Sequence, residues 1–215
     1  MKALAVLALA AACFGGDGGP VAAGGGPDRL GAGLRLAQDL RDARTDLVAC
    51  AEARWELPVW DLWLGVSGAA HYSLKRAYAY TVDLPDNSAE RGRGSGKWNK
   101  LEAEAGLWWE PRAWVELGTG LGEVIVNDYD DDSEAFGEVT FFLPLPEVLG
   151  KPFHMEVKEE NFYSLSEEQS ARNEVSLGMW LEVTDDLETG LVHKHIDLVE
   201  GPDTDEISLA LWRRF

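Results

Sequence analysis

From residue 30 onward the dominant period of apolar and polar residues is two, in one run after another. Successive side chains of an extended strand point to opposite faces, so this period demands strands with two unlike faces. In 98–109 one face carries Trp98, Lys100, Glu102, Glu104, Gly106 and Trp108, and the other Asn99, Leu101, Ala103, Ala105, Leu107 and Trp109. In 113–122, Ala113, Val115, Leu117, Thr119 and Leu121 oppose Glu116, Gly118, Gly120 and Gly122. In 46–57, Leu47, Ala49, Ala51, Ala53, Trp55 and Leu57 oppose Asp46, Val48, Cys50, Glu52, Arg54 and Glu56. In 171–182, Ala171, Val175, Leu177, Met179 and Leu181 oppose Arg172, Glu174, Ser176, Gly178, Trp180 and Glu182.

The connections alternate as well. Short ones are expected at Leu57-Pro58, at Glu110-Pro111-Arg112 and at Thr184-Asp185-Asp186, with 144–152 somewhat longer. Polar or Gly-rich loops are expected at 83–96, 127–133, 164–168 and 200–203. Counting back from the last run gives nine strands to about Thr45, and 29–40 supplies a tenth through Leu30, Ala32, Leu34, Leu36 and Leu40. An even meander brings both of its ends to the short-turn side, where it can close on itself. The expected fold is all-β: a single antiparallel up-and-down barrel of about ten strands.

Alternation alone does not say which face points inward. A soluble lipocalin-like barrel buries the apolar face, and a membrane barrel wears it outside with aromatic girdles at the interfaces. Trp55, Trp60, Trp109, Trp114, Phe141, Phe153, Trp180, Trp212 and Phe215 all lie within a few residues of short turns or the terminus. The membrane interface favours the amphipathic Trp ring, which selects the transmembrane form, with short periplasmic turns and longer extracellular loops. Trp114 and Trp180 fall in the inward phase. The lipid of an outer membrane is then the first partner.

The N-terminus agrees with export. Lys2 and the apolar run from Ala3 to Phe14 are too short to span a bilayer and have the layout of a secretory signal peptide. Cleavage is expected after Ala23, which gives 1–23 as signal peptide, 24–28 as a flexible Gly-rich segment and 29–215 as the barrel. The alternative is lipidation at Cys13, ahead of a GGDGG tether. Cys13 and Cys50 are the only cysteines, so no disulfide framework is expected. A net charge of -19, with 38 acidic and 19 basic residues, excludes nucleic-acid binding through clustered bases.

The last strand carries Ile207, Leu209, Leu211 and Phe215 on one face. In this the chain resembles the bacterial outer-membrane β-barrel proteins over roughly residues 29 to 215. The resemblance implies that the barrel-assembly machinery reads this strand through those four residues. Arg213 departs from the pattern, since an aromatic or apolar residue is usual there.

The expected lumen is acidic. Its inward set holds Asp46, Glu52, Glu56, Asp61, Glu102, Glu104, Glu116, Glu138, Glu156, Glu160, Glu174, Glu182, Asp197 and Glu206, against Arg54, Lys100, Lys158, Arg172 and Arg214. Glu102, Glu104, Glu116, Glu138 and Glu174, with Arg54, Lys100 and Arg172, are the candidates for setting selectivity. Ten strands leave a narrow path or none. Gly118, Gly120 and Gly122 form a lane without side chains, either a path or room for a neighbour's bulky group. All four histidines, His71, His154, His193 and His195, fall in the polar phase. His193 and His195 stand two residues and therefore about 7 Å apart on one face, with Asp197 next, and form the candidate metal site.

No cofactor motif is present. His193, His195 and Asp197, facing 127–132, loosely resemble the acidic and His-bearing mouth of omptin proteases, whose motifs do not align here. His71-Tyr72-Ser73 superficially resembles the lipid A deacylases but lacks their continuation and points inward. The run 127–132 resembles a calcium loop without its central Gly. The reading carried forward is a narrow cation-favouring porin-like channel, against a closed structural or surface-interaction barrel and a soluble binding barrel.

Overall fold

A computed structural model describes residues 27–41, 45–58, 60–74, 79–83, 89–93, 98–126, 132–199 and 203–215. The expected signal peptide, its cleavage site, Cys13 and residues 127–131 of the acidic run lie outside these. Twelve strands follow in order: β1 (Arg29–Asp39), β2 (Thr45–Glu56), β3 (Leu62–Ser73), β4 (Ala79–Asp83), β5 (Ala89–Arg93), β6 (Trp98–Arg112), β7 (Val115–Val126), β8 (Asp132–Val148), β9 (Lys151–Ser164), β10 (Gln169–Thr184), β11 (Leu187–Leu198) and β12 (Thr204–Arg214). Ten of them close an antiparallel barrel in the order β1-β12-β11-β10-β9-β8-β7-β6-β3-β2. The other two, β4 and β5, pair as a hairpin between β3 and β6, so the expected loop at 83–96 holds β5 and the last residue of β4.

Closure joins β1 to β12, with Gly31 opposite Arg214 and Asp39 opposite Glu206. The Phe215 amide donates to the Leu30 carbonyl at 2.9 Å, so the bonding runs to the last residue. Closure leaves no sheet edge, and this is what permits strands to live in lipid. The expected connection at 144–152 is mostly strand. β8 runs to Val148 with an irregular register at Leu145, and a tight turn follows in which Leu149 (φ 54°) and Gly150 (φ 71°) both take the left-handed conformation. That geometry matches the twist of a two-residue hairpin.

The barrel wears its apolar face outside. Leu209 is 60 % exposed while Glu134 is 4 % exposed, the reverse of a soluble barrel. Leu34, Leu36, Leu64, Leu107, Leu121, Leu177, Met179 and Leu191 belong to the same outer surface. On β10 that surface runs from Val175 to Val183, nine residues, the length a tilted strand needs to cross a bilayer. Trp109, Trp114 and Phe141 are exposed near the short turns, and Trp114 stacks on Phe141 with ring centres 6.3 Å apart. Trp114 therefore faces outward in the girdle, not inward as its phase suggests. This is the surface of a transmembrane barrel of the outer-membrane type.

Inside, a row of inward residues crosses five strands: Gly65 pairs with Gly106, Gly106 with Gly120, Gly120 with Phe136 and Phe136 with Phe162. The glycines hold the aromatics. A Cβ on Gly120 would stand 2.3 Å from the Ala105 carbonyl and 2.8 Å from the Phe136 ring, and one on Gly65 would stand 2.6 Å from the Trp108 ring. Gly31 and Gly33 seat Trp212 in the same way, and Gly178 and Gly190 seat Trp180. Trp63, Trp108, Phe136, Phe162 and Ala171 form the buried cluster. Ala171 was expected to face outward. A bulge between Ser170 and Arg172 turns it in.

Candidate functional site: the barrel lumen

The glycine lane at Gly118 and Gly120 is no path. Their open faces are filled by Trp108, Glu138 and Phe136, while Gly122 has Glu104 near by at 3.5 Å. The free space lies beside the aromatic cluster, in a cavity of about 1010 Å³. It reaches from Asp28, Arg112 and Phe215 at the short-turn rim to Glu102, Ser67 and Lys194 in the middle of the barrel.

Many of the charged side chains of the lumen come together in three groups, apart from those at the short-turn mouth. In the first, Arg54 Nη1 donates to Glu116 Oε2 at 2.5 Å and lies 4.9 Å from the Trp108 ring centre. Trp108 Nε1 donates to Glu138 Oε1 at 2.5 Å, and Lys158 joins Glu138 at 2.9 Å and Glu160 at 2.8 Å. In the second, Glu102 accepts from Lys100 at 2.6 Å and lies 3.0 Å from His71 Nε2. In the third, Arg172 bonds Glu134 and, at 2.7 Å, Glu174, which also accepts from Lys194 at 2.5 Å. The Arg172 guanidinium lies 3.7 Å from the Phe162 ring centre. Buried charges persist only when paired and hydrogen-bonded, and these groups satisfy that requirement.

All eight residues named as selectivity candidates therefore belong to the lumen wall: Glu102, Glu104, Glu116, Glu138, Glu174, Arg54, Lys100 and Arg172. Glu104 stands apart, with a hydrogen bond among the described residues only from Ser67, at 2.8 Å. Glu156 has no ion pair among the described residues and also lines the cavity. Sequence reading missed Arg35, Lys194, Glu134 and Glu188 on this wall. The signal was present in β11, where Glu188, Gly190 and Val192 share a buried phase that carries on to Lys194.

The same phase moves the expected metal candidates out of the lumen. His193, His195 and Asp197 do share a face, but it is the outer one, with His193 exposed on its side chain at 48 %. Both imidazoles reach Asp205 Oδ1 of β12, a carboxylate of the neighbouring strand, each at 3.1 Å. Asp197 accordingly leaves the inward set. The physical reason is phase: β11 gives its inward side to Glu188, Gly190, Val192 and Lys194, which leaves His193 and His195 on the outer side, beside the outward Leu177 and Val175 of β10. His71 and His154 do point inward.

Outside the spanning segments, the turn at Asp185-Asp186 ties down the closing strand. Thr184 Oγ1 donates to Asp186 Oδ1 at 2.6 Å and Arg213 Nε to Oδ2 at 3.0 Å, which together hold the Asp186 carboxyl below the usual carboxylate range. Arg213 also lies 5.2 Å from the Phe215 ring centre. The residue that departs from the apolar terminal pattern thus has a partner on each side. Ile207, Leu209, Leu211 and Phe215 are exposed on the outer surface.

No family model and no curated protein matches this chain. Among solved structures it is similar to the KdgM porin (6 % identity, TM-score 0.43, covering 86 % of this chain and 99 % of that one). It is also similar to the NanC porin (5 %, TM-score 0.43, 84 % and 98 %) and to the β domain of the Bordetella autotransporter BrkA (9 %, TM-score 0.41, 89 % and 100 %). Such values attach no substrate and no partner to this chain.

Proposed function

We propose that the chain is an outer-membrane barrel serving as a narrow channel that favours cations. The observation that carries this reading is the pair of lumen carboxylates, Glu104 and Glu156, that form no ion pair among the described residues. They belong to a cavity lined by eleven Asp and Glu against seven Lys and Arg. A narrow aqueous path with surplus negative charge concentrates cations and repels anions. The apolar outer belt and the interfacial Trp residues support outer-membrane lipid as the surrounding partner. The exposed outer face of β12 supports reading by the barrel-assembly machinery.

Planar-bilayer recording under a KCl gradient tests the channel. The expected result is a small step conductance whose reversal potential lies on the cation side. Glu104→Gln with Glu156→Gln moves that potential towards zero. An anion-side reversal overturns the proposal.

A closed barrel has its own support. The Arg172, Glu174, Lys194 and Glu134 group, with Phe136 and Phe162, occupies the lumen towards the loop side. Silence across lipids and voltages selects this reading. Recovery of the mature protein in a detergent-free soluble extract would instead select the soluble binding barrel.

A further inference from the structure

Near the short-turn mouth of the lumen, three strands bring one imidazole and two carboxylates together. Glu182 of β10 and Glu188 of β11 pair directly across the β10–β11 hairpin, both facing inward. Like charges placed opposite one another are destabilising, so this pair calls for a cation. His154 of β9 sits opposite Trp180, one inward step from Glu182. One ligand atom from each of His154, Glu182 and Glu188 lies within 4.8 Å of the other two, and among the described residues no other trio of potential metal ligands converges in this way. All three line the cavity, so an ion arriving through it finds an open side for water.

The cation there now is Arg214 of β12, which hydrogen-bonds Glu188 and lies 3.8 Å from Glu182. Its side chain is half-exposed at the mouth and can swing outward. The His154 imidazole has no hydrogen bond among the described residues. A neutral imidazole with a free ring nitrogen is what a metal requires, and Arg214 does not use it.

We propose that His154, Glu182 and Glu188 form a binding site for a divalent transition-metal ion at the short-turn mouth of the lumen, in competition with Arg214. One nitrogen and two oxygen donors with an open position suit zinc and its first-row neighbours. Calcium is disfavoured, because it takes six to eight oxygens. The inference is independent of transport, since binding is read on the folded chain in detergent without any conductance measurement.

The test is titration of zinc chloride into the full mature barrel, stripped with chelator and free of any His tag, followed by calorimetry. One zinc per chain is expected, weakened at least tenfold by His154→Ala and by Glu188→Gln. Arg214→Gln is expected to tighten binding severalfold, a gain that a merely structural role for these residues does not produce. His193→Ala is expected to leave binding unchanged, which separates this site from the exposed histidines. Circular dichroism selects folded variants, and Arg214→Gln keeps the test decisive if Glu188→Gln misfolds. Equal zinc affinity in His154→Ala, loss of binding in His193→Ala, or calcium binding as tight as zinc overturns the proposal.

Discussion

Trp108 on β6 donates its indole N–H to Glu138 on β8 at 2.5 Å, directly over Gly118 on the strand between them. The bond is possible only because β7 offers no side chain there. A Cβ on Gly118 would stand 2.7 Å from the Trp108 Nε1 and 2.5 Å from Glu138 Cγ. Aromatic reach across a glycine strand is the packing rule of this lumen, and it makes a first prediction.

Gly120→Ala is expected to destabilise the folded barrel by about 1–3 kcal/mol, the usual cost of overpacking. Its new methyl group meets backbone on one side and the Phe136 ring on the other, and backbone cannot move aside. Gly137→Ala is expected to be close to neutral, because nothing lies within 4 Å of its Cβ position. Urea unfolding in detergent compares the two.

Arg172→Ala removes the guanidinium shared by Glu134 and Glu174 and uncovers the Phe162 ring. Breaking a buried pair by removing one partner costs about 3–5 kcal/mol, and a loss of that size is expected in the same unfolding experiment. The same change clears the loop-side lumen, so the single-channel conductance is expected to rise. A stable variant with unchanged conductance would remove Arg172 from both roles.

Asp186 makes a pH prediction. Its folded carboxyl titrates below the unfolded value of about 3.9, through the Thr184 hydroxyl first and Arg213 second. A depressed carboxylate contributes stability that is present above the unfolded pKa and lost as pH falls through the folded one. The tie between the last turn and β12 is therefore expected to hold at neutral pH and to loosen only in acid below about pH 4. Carboxyl NMR titration checks this, and a midpoint at or above the free-carboxylate value would contradict it. The group is half-exposed in a surface turn, so the effect is local.

Deleting Phe215 removes the amide that bonds Leu30 and the ring that faces Arg213. The amount of barrel inserted in the membrane is expected to fall severalfold, while Ser170→Ala, exposed on the loop side, leaves it unchanged. Heat-modifiability on gels of membrane fractions reads both. Equal insertion would take the terminal strand out of the assembly reading.

Sequence alone determined the barrel, its ten strands, the transmembrane sense and most of the lumen wall. The reason is local. The pleat of a strand assigns every second residue to one face, so a mistake requires a break in the pleat or a change in what lies outside it. The bulge that turns Ala171 inward is such a break, and the outer polar cluster of His193, His195 and Asp205 is such a change. What only the tertiary structure decided is which side chains meet across strands. Glu104 bonded to Ser67, Trp108 over Gly118, and His154 beside Glu182 and Glu188 each depend on the stagger between strands distant in sequence. Alternation within a strand carries no information about that stagger, because a slip of two residues leaves every face unchanged while replacing every neighbour.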